Sequence, residues 1–146
     1  MNATVESGSG RSVTIVRSAV DELIAHARAE APSECCGLLL GSRSTIREAA
    51  PTTNIASNRY SRFVIDPKDH IRLRHSARGR GLEVVGFYHS HPRSPAVPSA
   101  SDLAEASYPG HFYLIVSLVA APEVAIYQLD EGEHGNFLPL RLVTVG

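Results

Sequence analysis

The run Val84-Val85-Gly86-Phe87-Tyr88 is apolar enough to be the interior of a sheet, and it leads without a break into His89-Ser90-His91. A buried strand should not end in two imidazoles that nothing binds, because a polar group taken out of water without a partner costs on the order of 2–7 kcal/mol. Whatever fold the chain adopts must therefore bring a partner to this strand end. Residues two apart on a strand leave by the same face with Cα atoms roughly 6.5 to 7 Å apart, so both rings can converge on one ion. The same alternation sends Ser90 to the opposite face, where packing or a backbone contact is the expected role. Asp102 follows across a loop stiffened by Pro92, Pro95 and Pro98 and supplies a possible third ligand. Two histidines and one carboxylate leave a tetrahedral zinc with an open position for water, which is the arrangement of a catalytic site rather than a structural one. The segment points to hydrolysis.

The rest of the chain builds a scaffold around that strand. A strand is expected near Val13 to Arg17, then a helix capped by Ser18, with Val20, Leu23, Ile24 and Ala27 as its apolar stripe and Pro32 stopping it near Ala31. Cys36 to Gly41 has the short, apolar, glycine-bounded character of a buried strand, and a more polar strand is expected over Thr45 to Ala49. Pro51 to Asn58 is expected as loop, Arg62 to Ile65 as a short strand, and Pro67 to about Arg78 as a helix with a poor apolar pattern. After the strand Leu82 to His89 and the proline loop come a short helix, Ser101 to Ser107, and three strands: Phe112 to Val119, Val124 to Leu129 and Phe137 to Val145. The turn Glu131 to Asn136 joins the last two. Strands interleaved with two or three helices and ending in a meander predict one α/β (α+β) domain over residues 12–146, a mixed sheet flanked by helices, after a flexible tail over residues 1–11.

Size and charge narrow the functions available. A chain of 146 residues buries about two-thirds of the surface its unfolded form exposes, so it can hold a core without staples. Lys and Arg number 14 against 15 Asp and Glu, with no single-sign block, which argues against adhesion to nucleic acid or to an anionic membrane. No apolar stretch reaches the roughly 20 residues that a spanning helix needs, and the first residues lack the basic and apolar regions of a signal peptide; the expected compartment is the cytoplasm. The adjacent Cys35 and Cys36 are poorly placed for a disulfide with each other, and small buried thiols are the expected state.

Each remaining member of the site has an ordinary explanation to set against a functional one. His26, His70, His75, His111 and His134 lack partners at ligand spacing and are expected to be plain side chains. Ser99 and Asp102 stand at the spacing of a capping box, in which serine accepts from a backbone N–H and the acid reaches back. The two roles are compatible, since an acid in a first helical turn sits by the positive end of the helix, where its charged, metal-binding form is favoured. Glu34, between Pro32 and a buried strand, would be solvated if taken alone. A zinc hydrolase needs a carboxylate beyond its ligands to carry the proton from water to the leaving amine, and Glu34 is the best placed acid.

Together, Glu34 followed by Cys36-Gly37-Leu38-Leu39, then Gly86-Phe87-Tyr88-His89-Ser90-His91-Pro92, then Ser99-Ala100-Ser101-Asp102, resemble the JAMM (MPN-plus) metalloprotease motif. The resemblance runs from the helix near Ser18 to the closing strands. It implies a curved mixed sheet flanked by helices, layered much as in cytidine deaminases, with one zinc held by His89, His91, Asp102 and a water. It makes Glu34 the general base and then acid, and Ser99 a helper of the oxyanion. The family cleaves peptide or isopeptide bonds after the C-terminal glycine of ubiquitin or ubiquitin-like proteins. This short chain is most similar to bacterial members that act on ubiquitin-like sulfur-carrier proteins, releasing cysteine or a trailing peptide. A deubiquitinase-like isopeptidase, a non-catalytic scaffold of the same fold, and a small zinc amidase or metal-binding module are the alternatives; exposed strand edges would allow a homodimer. Amidohydrolase barrels need about 250 residues, and zinc deaminases need His-x-Glu and Pro-Cys-x-x-Cys, so neither fits.

Overall fold

The computed structural model describes residues 11–132 and 135–146; nearly all of the expected tail, and the turn position of His134, fall outside these. Ten elements follow in order: β1 (Ser12–Val16), α1 (Arg17–Glu30), β2 (Cys36–Ser42), β3 (Thr45–Thr52), α2 (Pro67–Gly79), β4 (Glu83–His91), α3 (Ala100–Glu105), β5 (Phe112–Ser117), β6 (Glu123–Leu129) and β7 (Phe137–Val145). The strands pair in the order β1-β3-β2-β4-β5-β6-β7, and β1 pairs in parallel with β7, so the curved mixed sheet closes into a barrel. Closure changes the outlook for strand-edge dimers. What remains open is chiefly the second half of β3, because β1 pairs with β3 only at Thr45 and Ile46.

The helices cover two sides of the sheet. Ala19, Leu23 and Ala27 of α1 pack with Val13, Ile15, Leu39, Tyr88 and Leu114 in one cluster. On the other side, Ala77 and Leu73 of α2 and Leu103 of α3 pack with Leu38, Leu40, Val84 and Phe87. With both faces covered, β2 is a continuous apolar run, and each fully buried leucine contributes about 1.5–3 kcal/mol.

Strand β4 carries a bulge. Leu39 pairs with Gly86 and Leu40 with Val84, which leaves Val85 as the extra residue. Val84 and Phe87 therefore share one cluster while Val85 and Tyr88 share the other. From Phe87 onward the odd positions face α2 and α3, and this sets the direction of His89 and His91. Gly86 permits the close approach of β5, since a Cβ there would lie 2.2 Å from the carbonyl oxygen of Phe112.

Four local expectations need correction. The first helix starts at Arg17 straight from β1, with Val16 at its N-cap and no side-chain cap, so Ser18 does not cap it. Pro51 and Thr52 extend β3 beyond Ala49; Pro51 is exposed where β3 has no second neighbour, and a missing N–H costs nothing there. Arg62 to Ile65 is not a strand but a single bridge, Asn54 to Ile65, because the N–H of Val64 donates to the Asn54 side chain instead of to a ladder. Strand β4 also runs two residues further than expected, through His91.

Candidate metal centre

His89 and His91 close β4 between two neighbours, with Cys36 opposite His89 on β2 and Ile115 and Ser117 alongside on β5. They are 3% and 5% exposed, so neither ring has much water to bond. Phe63 stacks on the His89 ring with centroids 4.3 Å apart and planes 20° from parallel, which fixes its orientation. His91 Nδ1 lies 2.8 Å from the carbonyl oxygen of Pro95. A carbonyl only accepts, so that nitrogen carries the hydrogen and the lone pair of a neutral ring is left on Nε2.

Asp102 reaches the same point from α3. The expected capping box forms in full: the N–H of Asp102 donates to Ser99 Oγ at 3.0 Å and the N–H of Ser99 donates to Asp102 Oδ2 at 2.9 Å. That same Oδ2 lies 3.1 Å from Nε2 of His89 and 3.1 Å from Nε2 of His91, and the two nitrogens are 3.2 Å apart. Tetrahedral ligands on bonds of about 2.0–2.1 Å stand roughly 3.3 Å from one another, so this triangle is close to the size an ion such as zinc requires. Three lone-pair donors aimed at one point repel unless a cation or a proton lies between them. Burial would raise the Asp102 carboxyl, but hydrogen bonds with His89 and His91 outweigh it and hold the group well below the usual carboxylate range. Burial pulls both imidazoles down; it prevails for His89, whereas Asp102 and the Pro95 carbonyl together lift His91 above its ordinary value.

Glu34 stands just before β2, and counting back from the Cys36–His89 pair in antiparallel register brings it opposite His91. It is 7% exposed, and its Oε1 is the one buried side-chain oxygen among the described residues without a hydrogen-bond partner. Burial pushes its carboxyl up to about 7, with His91 pulling it down and Asp102 pushing it up. Its backbone, by contrast, is held firmly. The N–H donates to the Arg59 carbonyl at 2.7 Å, and the carbonyl accepts from Asn54 Nδ2 at 2.9 Å. One residue on, Cys35 N–H donates to Ser90 Oγ at 2.8 Å, so the serine between the histidines does face away from them and ties the Glu34 segment to β4.

Ser99 is exposed, with its oxygen accepting from Asp102 and lying 3.1 Å from Ser101 Oγ. The remaining described histidines stay outside the triangle: His26 pairs with the Tyr88 hydroxyl at 2.8 Å and His70 lies 2.9 Å from an Arg74 nitrogen. Cys35 and Cys36 are free and buried, as expected. Sequence gave no sign of the cavity of about 340 Å³ beside the centre, walled by Phe63, His70, Phe87, Tyr108, Tyr113 and Phe137 and bordered by His89 and Asp102. These side chains come from stretches of the chain spread between positions 63 and 137. Asn54 was equally unmarked, sitting in a segment with the composition of an ordinary loop.

Residues 16–130 match the family described as prokaryotic homologs of the JAB domain. A curated relative from Haloferax volcanii, named desampylase, is 38% identical over 111 residues, covering 72% of this chain and 80% of that one. A relative from Thermus thermophilus, named probable TtuB-protein conjugate cleaving protease, is 31% identical over 99 residues, or 68% of this chain and 66% of that one. Among solved structures, a protein from Desulfitobacterium hafniense superposes with a TM-score of 0.81 at 29% identity, covering 91% of this chain and 92% of that one.

Proposed function

The chain belongs to the prokaryotic homologs of the JAB domain, and from that premise we propose that it is a zinc-dependent peptidase or isopeptidase. Its substrate is a ubiquitin-like sulfur-carrier protein, cut after the C-terminal glycine to release cysteine or a C-terminal extension. A relative named as a cleaver of protein conjugates supports this choice of substrate. The observation that carries the reading is the pairing of a three-donor triangle with the unpartnered, buried oxygen of Glu34.

His89, His91 and Asp102 would hold the ion through Nε2, Nε2 and Oδ2. Bound there, zinc supplies Lewis acidity, polarising a carbonyl and making a water acidic near neutral pH. Glu34 does the proton work. In the metal-free protein burial lifts its carboxyl to about 7, and Oε1 has no competing donor to displace. It accepts the proton of the attacking water and returns it to the leaving amine nitrogen. Ser99 Oγ accepts from the Asp102 N–H, and with Ser101 Oγ as the donor in their 3.1 Å contact its own O–H would be offered to the carbonyl oxygen as charge develops there. The domain that does this extends over residues 12–146: β7 lies beyond the family match, yet it pairs with both β1 and β6 and completes the barrel.

The test is to incubate the protein with a sulfur-carrier protein bearing a C-terminal cysteine or peptide, and separately with linked ubiquitin, following product masses with and without chelator. Release of the carrier ending in glycine, abolished by chelator and restored by zinc, is expected, together with about one zinc per chain from the single three-ligand site. A zinc-loaded protein that leaves every conjugate intact overturns the proposal.

A further inference from the structure

The loop between β3 and α2 carries Phe63, Val64 and Ile65 against the cavity and the His89 ring, yet it has no ladder of its own to hold it. Its hydrogen bonds converge on one side chain. Asn54 is 9% exposed and its carboxamide makes four bonds, the full complement of an amide side chain. Oδ1 accepts from the N–H groups of Ala56 and Val64, each at 3.0 Å, closing the loop on itself. Nδ2 donates to the Arg62 carbonyl at 3.0 Å and to the Glu34 carbonyl at 2.9 Å. The Glu34 N–H completes the connection by donating to the Arg59 carbonyl of the same loop. Both backbone polar groups of Glu34 are thus satisfied by the loop, while its carboxylate oxygen Oε1 is held by nothing. The loop is in turn fastened to both sides of the centre, through Arg62 to Glu105 of α3 and through Arg93 Nη2 to the Tyr60 carbonyl at 3.4 Å.

We propose that Asn54 is a positioning residue for the reaction, joining the loop that walls the cavity to the backbone of Glu34 so that a closed loop and a placed Oε1 are a single state. The inference rests on the assignment of Glu34 as proton carrier. Its chemistry is geometric: a carboxylate with no side-chain partner is aimed only by its backbone, and a displacement of about 1 Å at a reacting group can cost on the order of 100-fold in rate.

Asn54→Asp separates this role from simple loop closure, because the acid keeps the oxygen that accepts from Ala56 and Val64 but sets a second oxygen against the Glu34 and Arg62 carbonyls. The expected result is a kcat lowered roughly 10- to 100-fold, a KM changed much less, and zinc still bound at the wild-type ratio. Asn54→Asp with wild-type kcat would confine the residue to closing the loop and overturn the proposal. A second measurement needs no variant and no activity. In native-state hydrogen exchange of the wild-type protein, the amides of Glu34, Ala56 and Val64 should open together, with one free energy and one denaturant dependence. Independent opening of Glu34 overturns the coupling whether or not the protein cleaves any conjugate; common opening in a protein without peptidase activity leaves the coupling standing and removes the proposed function instead.

Discussion

The two faces of β4 beyond its bulge are about equally buried and treat polar groups in opposite ways. On the side of α1, every polar group that enters the core is matched: Tyr88 finds His26, and Ser90 takes the Cys35 N–H and returns its own N–H to the Cys35 carbonyl. On the other side, three lone-pair donors crowd one point and Glu34 Oε1 has no partner at all. Buried polar groups that serve the fold are bonded as a rule, so an unbonded one one residue away from a well-bonded one marks a place where another requirement prevailed. The contrast explains why Ser90 and its two histidine neighbours, all buried, have such different parts.

Glu34→Gln breaks the contrast most sharply. It leaves the triangle intact but removes the proposed proton carrier, so turnover should fall by about 10²–10⁴-fold while zinc content stays unchanged; preserved turnover in a single-turnover assay would reassign the base. The same variant has an opposite effect on stability. The folded Glu34 carboxyl lies at about 7 against an ordinary value of 4.5. Its contribution to stability is therefore complete below about 4.5 and lost as pH rises through about 7. Glutamine resembles the neutral acid at every pH. In chelated protein, denaturant midpoints of Glu34→Gln should gain on wild type across that window and run parallel above it.

Ser99→Ala tests the edge of the frustrated face. Losing the hydroxyl should lower turnover about tenfold or more with zinc retained, and losing the cap should cost about 1 kcal/mol in unfolding experiments. Loss of zinc in this variant would mean that the capping box, rather than the oxyanion, is its main business. Tyr88→Phe probes the satisfied face and should have the smallest consequence for chemistry. It strands His26 Nδ1 and should lower stability by about 1–2 kcal/mol with kcat unchanged. A fall in kcat comparable to that of Ser99→Ala would erase the distinction between the faces.

The polar residues of the centre were legible because strand and cap rules act over short spans. His-x-His on an apolar run fixes a shared face, and Ser-x-x-Asp fixes a helix start, so two short-range patterns give three converging donors. Glu34 needed the chemical requirement for a proton carrier and the family resemblance to stand out from other acids. Asn54, Phe63 and the cavity could not be found in this way. Apart from Ala56, the partners of Asn54 lie 8 to 20 positions away, and an asparagine that organises a loop looks in sequence like one that merely occupies it. Missing the length of β3 had a similar origin: whether Pro51 is tolerated depends on the absence of a neighbouring strand on that side, which is a property of the assembled sheet.

Helix α3 has only six residues, too few to be stable by itself. The oxygen that closes its capping box is also the one that meets both imidazoles. Loading the centre and winding this helix are therefore events on one atom, and an ion arriving at Asp102 draws on the same lone pairs that keep the first turn in place. Occupancy of the centre should accordingly be visible as order in the backbone of residues 99–106, a signal that can be followed without any substrate in the tube.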